Sequence, residues 1–441
     1  MSDKPNRLGP YWLQPGVTRI NMAGLFLSAY TSIGLLTFIA MSTPFVLTVY
    51  LQVPQSEQGT LSGDLHFFQE IVALLLFAPV GVLADRIGRR EVFVGGMLMM
   101  SLGYSLYSFS SSLPELFFYR FLYTIGIVAA TGMMGTILAD YSEDRSRGMT
   151  VASVGVLNAL GVITVAVGLA RLPQFFTERG ASQEAAGHDA HFVVAAICAV
   201  AALLLYLMLK KGTPVKHTER PPVKELVASG IREARNPRIA LAYACGFIAR
   251  SDLVLVGTYS VLWGTTAAIA QGMEPAEAMS AGRRVFAIVS TAALFWLPVI
   301  GFVLDRINRV TGIILCMTIA AAGYLATTLV DDILANSAIP FLVLLGIGQI
   351  SAFAGAQTLI AREAPQASRG SVIGMFNMFG AVGILFSTGV GGRVFDALGP
   401  AAPFQLVGVL TLVLVMLAVW CRIKAPGPAV DRRAPAVAAI H

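Results

Sequence analysis

The chain alternates long apolar runs with short polar breaks. Twelve runs stand out, at residues 23–50, 65–84, 92–111, 115–139, 149–170, 191–209, 239–263, 284–304, 310–329, 337–361, 371–391 and 402–421. A helix needs about 20 predominantly apolar residues to cross a bilayer, and each run supplies roughly that length. None shows the period-two alternation of a membrane barrel strand, so the pattern predicts helices.

The polar breaks carry the orientation. With both ends placed in the cytoplasm, 24 of the 31 Lys and Arg residues fall in cytoplasmic segments and 5 in the opposite loops, leaving Arg120 and Arg250 inside runs. Loop length does not explain the split: 86–90 and 145–147 are short and basic, whereas 51–63 has neither Lys nor Arg. Such a bias reports topology. The expectation is a multi-pass protein with cytoplasmic termini, in a bacterial inner membrane.

Composition agrees. Of 441 residues, 56% are hydrophobic and 13% charged, against about 25% charged in soluble domains. That is too little charge to clothe a soluble enzyme of this length. The net charge of +6 then belongs to topology, and no nucleic-acid partner is expected. Cys198, Cys245, Cys316 and Cys421 are widely spaced without a C-x-x-C and read as small buried hydrophobes. The first twenty residues lack an apolar core, so no cleavable signal peptide is expected.

One long break, 210–238, divides the runs six and six. The expected domains are an N-tail (1–22), a first six-helix bundle (23–209), the linker (210–238), a second bundle (239–421) and a C-tail (422–441). Within the linker, Val223, Leu226, Val227, Ile231 and Ala234 share one helical face, with Lys224, Glu225, Arg232 and Glu233 off it. This spacing predicts an amphipathic surface helix that tethers the halves; polybasic lipid contact is the alternative.

The halves repeat. GVLADRIGRR at 81–90 recurs as GFVLDRINRV at 301–310, pairing Gly81, Asp85, Arg86 and Arg89 with Gly301, Asp305, Arg306 and Arg309. Arg147–Gly148 recurs as Arg369–Gly370, at an offset of 222. Two parallel six-helix halves are a transporter architecture.

GVLADRIGRR resembles the signature of the major facilitator superfamily, G-x-L-A-D-R-x-G-R-K/R, at the right place between spans 2 and 3. Gly81, Leu83, Ala84, Asp85, Arg86, Gly88, Arg89 and Arg90 all match. With the twelve runs and the degenerate second copy, the resemblance covers about residues 20–422. It implies an all-α fold of 12 transmembrane helices in two pseudo-symmetric bundles. It also implies that Gly81, Asp85, Arg86, Gly88, Arg89 and Arg90, with Asp305, Arg306 and Arg309, form a conformational gate. In that family the carboxylate interacts with arginines and with the start of span 11. Physically, Gly81 and Gly88 permit close helix contact and a short turn, and a carboxylate at a helix end is costly unless paired. The alternative is that these arginines only set topology. FYRFLYTIG in span 4 resembles the R-x-x-x-G-x-G pattern of proton-coupled members: Arg120 and Gly126 match, while Thr124 replaces the first glycine.

Charges inside runs are candidate chemistry. Arg120 lies roughly 8 Å below the outer end of span 4 at 1.5 Å per residue, and Glu70 of span 2 lies at similar depth. An intramembrane arginine needs an anionic partner, either Glu70 or substrate; His66 and Glu70 share a face. Alternatively Asp64, His66 and Glu70 line a wet outer mouth. Arg250 and Asp252 lie near the midplane of span 7, two residues apart, and so point to different sides. Asp252, Glu70 and Arg120 are the proton-coupling candidates, with Asp252 first, because a carboxylate can alternate between charged and neutral forms and an arginine cannot. Arg120, Arg250, Asp252, Tyr30, Asn158, Tyr259, Gln349 and Asn377 are the substrate-binding candidates. The hydroxyls and amides among them could equally join helices.

Departures narrow the class. Span 5 reads GVLNALGVITVAVG, without the Gly-Pro of drug antiporters; the PESPR-like stretch of sugar porters and the E-x-x-E-R-F of peptide symporters are absent. No nucleotide loop, metal-ligand cluster or nucleophile triad occurs, so neither cofactor nor catalysis is expected. The reading is a monomeric secondary transporter that moves a small organic solute across the bilayer by alternating access, coupled to protons, with two buried arginines favouring an anionic group on the solute. Proton-driven efflux of drugs or amphipathic metabolites stays open. So do a non-transporting membrane sensor or scaffold, and an intramembrane enzyme.

Overall fold

A computed structural model describes residues 7–212, 223–365 and 368–427, with side chains throughout except at 144–145 and 223–227. The expected linker segment 213–222 and the C-tail from 428 lie outside the described residues, as do the side chains of Val223, Leu226 and Val227 on the expected amphipathic stripe.

A two-stranded hairpin opens the chain, β1 (Arg7–Leu8) and β2 (Tyr11–Trp12). Fourteen helices follow: α1 (Arg19–Val49), α2 (Gln55–Ile87), α3 (Arg89–Tyr107), α4 (Leu113–Tyr141), α5 (Asp144–Val167), α6 (Leu172–Thr177), α7 (Gln183–Met208), α8 (Val223–Glu233), α9 (Pro237–Ala270), α10 (Pro275–Leu304), α11 (Arg309–Ala326), α12 (Ile339–Glu363), α13 (Arg369–Leu398) and α14 (Ala402–Lys424). Among the described residues, eleven helices are long and apolar enough to cross a membrane. The twelfth expected span is α3, which opens on Arg89, Arg90 and Glu91. Apolar side chains on the outside, such as Leu207, Phe295 and Met416, suit a lipid solvent.

Several helices outrun their apolar stretch. α2, α7 and α10 start eight to ten residues before the runs at 65, 191 and 284, because a helix once nucleated propagates through polar residues at little cost.

The described residues fall into two compact units. The first comprises Met1–Val53, Phe68–His217 and Met273–Ser280, and the second Pro54–Phe67, Thr218–Gly272 and Ala281–His441. In each unit, glycines let helices touch backbone to backbone. In the first, a Cβ at Gly126 of α4 would sit 2.6 Å from the Gly96 carbonyl of α3, and one at Gly161 of α5 would overlap the Tyr30 carbonyl of α1. In the second, Gly348 of α12 abuts Ala320 of α11, and Gly383 of α13 abuts the Phe247 carbonyl of α9. Both pairs, 126/348 and 161/383, repeat at an offset of 222. Tight contact of this kind is what joins helices in lipid, where apolar burial gives no net drive.

The linker helix α8 exists and belongs to the second unit. Tyr243 donates to the Gly230 carbonyl (3.0 Å), Ser368 donates to Glu233 (2.8 Å), and Gly230 packs against Ser371 and Met375 of α13. Ile231, expected on its buried stripe, is 59% exposed. Gly230 lies on the contact face in its place, since a residue without a side chain lets the helix lie closer.

Candidate functional site

The signature loop is built around Gly88, whose φ of 110° starts α3 in a conformation that disfavours a Cβ. Gly81 departs from expectation. A Cβ there would meet nothing within 4 Å among the described residues, and Gly301 is the same, so neither is required by a close helix contact. Both lie near the ends of helices whose neighbouring side chains are exposed. Arg86 is exposed and Asp85 half-buried.

Arg89 is buried and forms an ion pair with Asp140 at the end of α4. Arg90 pairs with Glu91 (2.8 Å) and lies 4.3 Å over the Tyr206 ring of α7. The second copy repeats the plan. Arg309 reaches Glu363 at the end of α12 (3.1 Å), and Arg238 reaches the other oxygen of the same carboxylate (2.8 Å). Asp305 pairs with Arg362 (2.5 Å), and Arg306 folds back over the Phe302 ring. Asp140 and Glu363 were not picked out from sequence. Their separation of 223 residues, one off the repeat, was the available signal.

Arg120 is the largest fully buried side chain. Its guanidinium carbon lies 5.9 Å from the Tyr107 ring centre and 5.8 Å from that of Tyr123. Tyr104 and Tyr123 pack edge to face at 5.1 Å and donate to the Leu35 and Leu36 carbonyls of α1. Tyr107 meets Thr43 at 3.3 Å. Aromatic faces hold a buried cation favourably, and these tyrosines were not expected from sequence. Glu70 is half-buried on α2. Of the expected outer-mouth group, His66 is buried, while Asp64 pairs with Arg393 of α13 (2.8 Å) inside the second unit. About one and a half turns earlier in α13, the Tyr259 hydroxyl donates to the Thr388 carbonyl (3.3 Å). Tyr259 is fully buried and stacks on Phe395.

Arg250 and Asp252 separate as their spacing requires. Asp252 is fully buried in the second unit, and among the described residues neither carboxylate oxygen meets a donor at full hydrogen-bond geometry. The Tyr324 hydroxyl of α11 lies within interaction range, and Gln349 of α12 donates to the Asp252 backbone carbonyl (3.2 Å). Arg250 turns to α13, packs on Gly380 and donates to the Asn377 side chain (2.8 Å). Asn377 is exposed, and among the described residues no carboxylate pairs with Arg250. In the first unit the Tyr30 hydroxyl donates to Thr164 (2.9 Å), and among the described residues the Asn158 side-chain oxygen has no hydrogen-bond partner. The candidates thus lie on α1, α2, α4 and α5 in one unit, and on α9, α12 and α13 in the other.

A sequence model of the Major Facilitator Superfamily matches residues 22–268 and 253–439. Magnetosome protein MamH of Paramagnetospirillum magneticum is 26% identical over 398 residues, spanning 88% of this chain and 90% of that protein. Magnetosome protein MamZ of the same species is 22% identical over 398 residues, spanning 86% of this chain and 59% of that protein. Among solved structures, the nucleoside transporter NupG matches with a TM-score of 0.70 at 14% identity, covering 93% of this chain and 100% of that one. At that identity the likeness speaks for the fold.

Proposed function

The chain belongs to the Major Facilitator Superfamily and is a multi-pass membrane transporter; from that premise we propose that its cargo is a small organic anion, moved by alternating access with protons. One observation carries the reading. Arg250 sits near the middle of α9 with a neutral amide, Asn377, as its hydrogen-bond partner. A guanidinium offers five donors in a planar fork suited to carboxylate or phosphate. A substrate anion would supply the charge that the protein leaves out.

The test is flux into proteoliposomes across a panel of organic acids, with amphipathic cations as the contrast. Arg250→Gln should abolish uptake of the transported anion, and Arg250→Lys should retain a fraction, keeping charge but losing the fork. Cation efflux unaffected by either substitution would refute the anionic reading in favour of drug-type antiport.

Asp252 is the proposed proton carrier, since its carboxylate is fully buried with the neutral Tyr324 hydroxyl beside it. Asp252→Asn should still exchange substrate for substrate but fail to accumulate it under an imposed pH gradient. Accumulation at the wild-type level would remove Asp252 from the coupling; transfer of the defect to Glu70→Gln would place it on α2. The gate role of Asp85 rests on the family signature alone.

The basic-residue bias supports cytoplasmic termini. The likeness to MamH along nearly its whole length favours a magnetosome as the site of action. Fluorescent fusions in a magnetosome-forming host distinguish that membrane from the cell envelope.

A further inference from the structure

The residues before α1 form a strap on the first unit. Trp12 receives a hydrogen bond from Ser146 and donates one to it, Gln14 donates its backbone N–H to the Tyr141 carbonyl (3.0 Å), and Tyr11 meets Ser153 of α5 at 2.8 Å. Leu13 of the strap is itself fully buried. Gly16, at φ 76°, turns the strap so that it passes beside the Lys210 ammonium.

Strap and unit line a half-open pocket of about 300 Å³, bounded in part by Gln14, Asp140, Tyr141 and Lys210. A small adjoining cleft shares the last three and adds Arg89 and Arg90. That volume is at the lower end for small-molecule sites.

The charge balance decides what fits. Asp140 is neutralised by Arg89, and Arg90 by Glu91. The ends of α4 and α7 carry partial negative charge, but their carbonyls are engaged: Tyr141 by Gln14, Tyr206 by Arg90 and Met208 by Asn21. Among the described residues, no carboxylate pairs with the Lys210 side chain. The Tyr141 hydroxyl accepts from the Lys210 backbone N–H (2.7 Å), leaving its own proton to donate. The side-chain amide of Gln14 donates to the Ser142 carbonyl (3.5 Å), and the second N–H of that NH2 group is a further donor from the strap itself.

We propose that this pocket binds a phosphate group, carried by an acidic lipid headgroup or by a free phosphate, through the Lys210 ammonium, the Tyr141 hydroxyl and the Gln14 amide. The bound anion links the strap to the ends of α4 and α7, at Tyr141, the residue after Asp140 of the Arg89–Asp140 pair. It therefore steadies the end of the first unit where the family signature lies.

The experiment uses the full chain in two arms. In lipid-free detergent, inorganic phosphate is titrated against chloride at matched ionic strength, and thermal midpoint is read. In nanodiscs, phosphatidylglycerol is compared with phosphatidylcholine. Stabilisation by phosphate in detergent identifies a free anion as sufficient; stabilisation by phosphatidylglycerol alone identifies the headgroup. In either arm, Lys210→Gln should weaken the half-saturating concentration at least tenfold, and Lys210→Arg should restore it. No stabilisation in both arms, or the same response in Lys210→Gln as in wild type, overturns the proposal.

Discussion

Gly161→Ala and Gly383→Ala are each expected to lower the melting temperature of the purified protein, whereas Gly155→Ala should leave it unchanged or raise it. All three lie inside helices, where alanine is intrinsically favoured over glycine by about 1 kcal/mol. The difference is what the new methyl group meets. At Gly161 it would overlap the Tyr30 carbonyl oxygen, and at Gly383 the Phe247 carbonyl oxygen, while Gly155 has nothing within 4 Å. A backbone oxygen cannot rotate away as a flexible side chain can, so the whole helix must shift. Overpacking of that kind costs about 1–3 kcal/mol, which exceeds the propensity gain. Separating α1 from α5 would also break the Tyr30–Thr164 hydrogen bond. Fluorescence-monitored melting in one detergent checks the trio. A Gly161→Ala protein as stable as Gly155→Ala would mean that the α1–α5 contact is looser than drawn.

Those glycines mark where sequence reading stopped. The twelve apolar runs and the signature were legible because a span announces itself by length and a motif by consecutive letters. The 161/383 and 126/348 pairs are single glycines among 43, and only the repeat offset distinguishes them. Asp140 and Glu363 were illegible for a related reason. Each ends a helix and looks like a loop charge until the chain brings Arg89 or Arg309 beside it. The strap at 7–17 is too short for any periodicity to build up. Arg250 and Asp252 were legible as a pair pointing apart, yet which one faced protein depended on the positions of Tyr324 and Gly380 in other helices. Tyr259 shared the Asp252 stripe as expected, but it spends its hydroxyl on the Thr388 carbonyl.

Glu363→Gln is expected to destabilise the second unit by about 3 kcal/mol, at the low end for breaking a buried ion pair by removing one partner. Its carboxylate is 4% exposed and serves two guanidiniums, Arg238 on α9 and Arg309 on α11. The amide keeps the shape but removes the charge, leaving two cations facing each other. The effect falls short of the upper range because Arg238 and Arg309 are 24% and 31% exposed, and because Arg309 retains the Arg362 carbonyl at 2.7 Å. Arg238→Gln alone should cost less, since Glu363 keeps Arg309. The loss should persist in high salt, because a pair this buried is poorly screened. A double-mutant cycle between Glu363→Gln and Arg238→Gln measures the coupling directly. A clamp joining three helices within one unit requires coupling well above that of an exposed pair, with transport per folded molecule little altered. Unchanged melting with a large change in flux would instead make the second signature copy a moving gate.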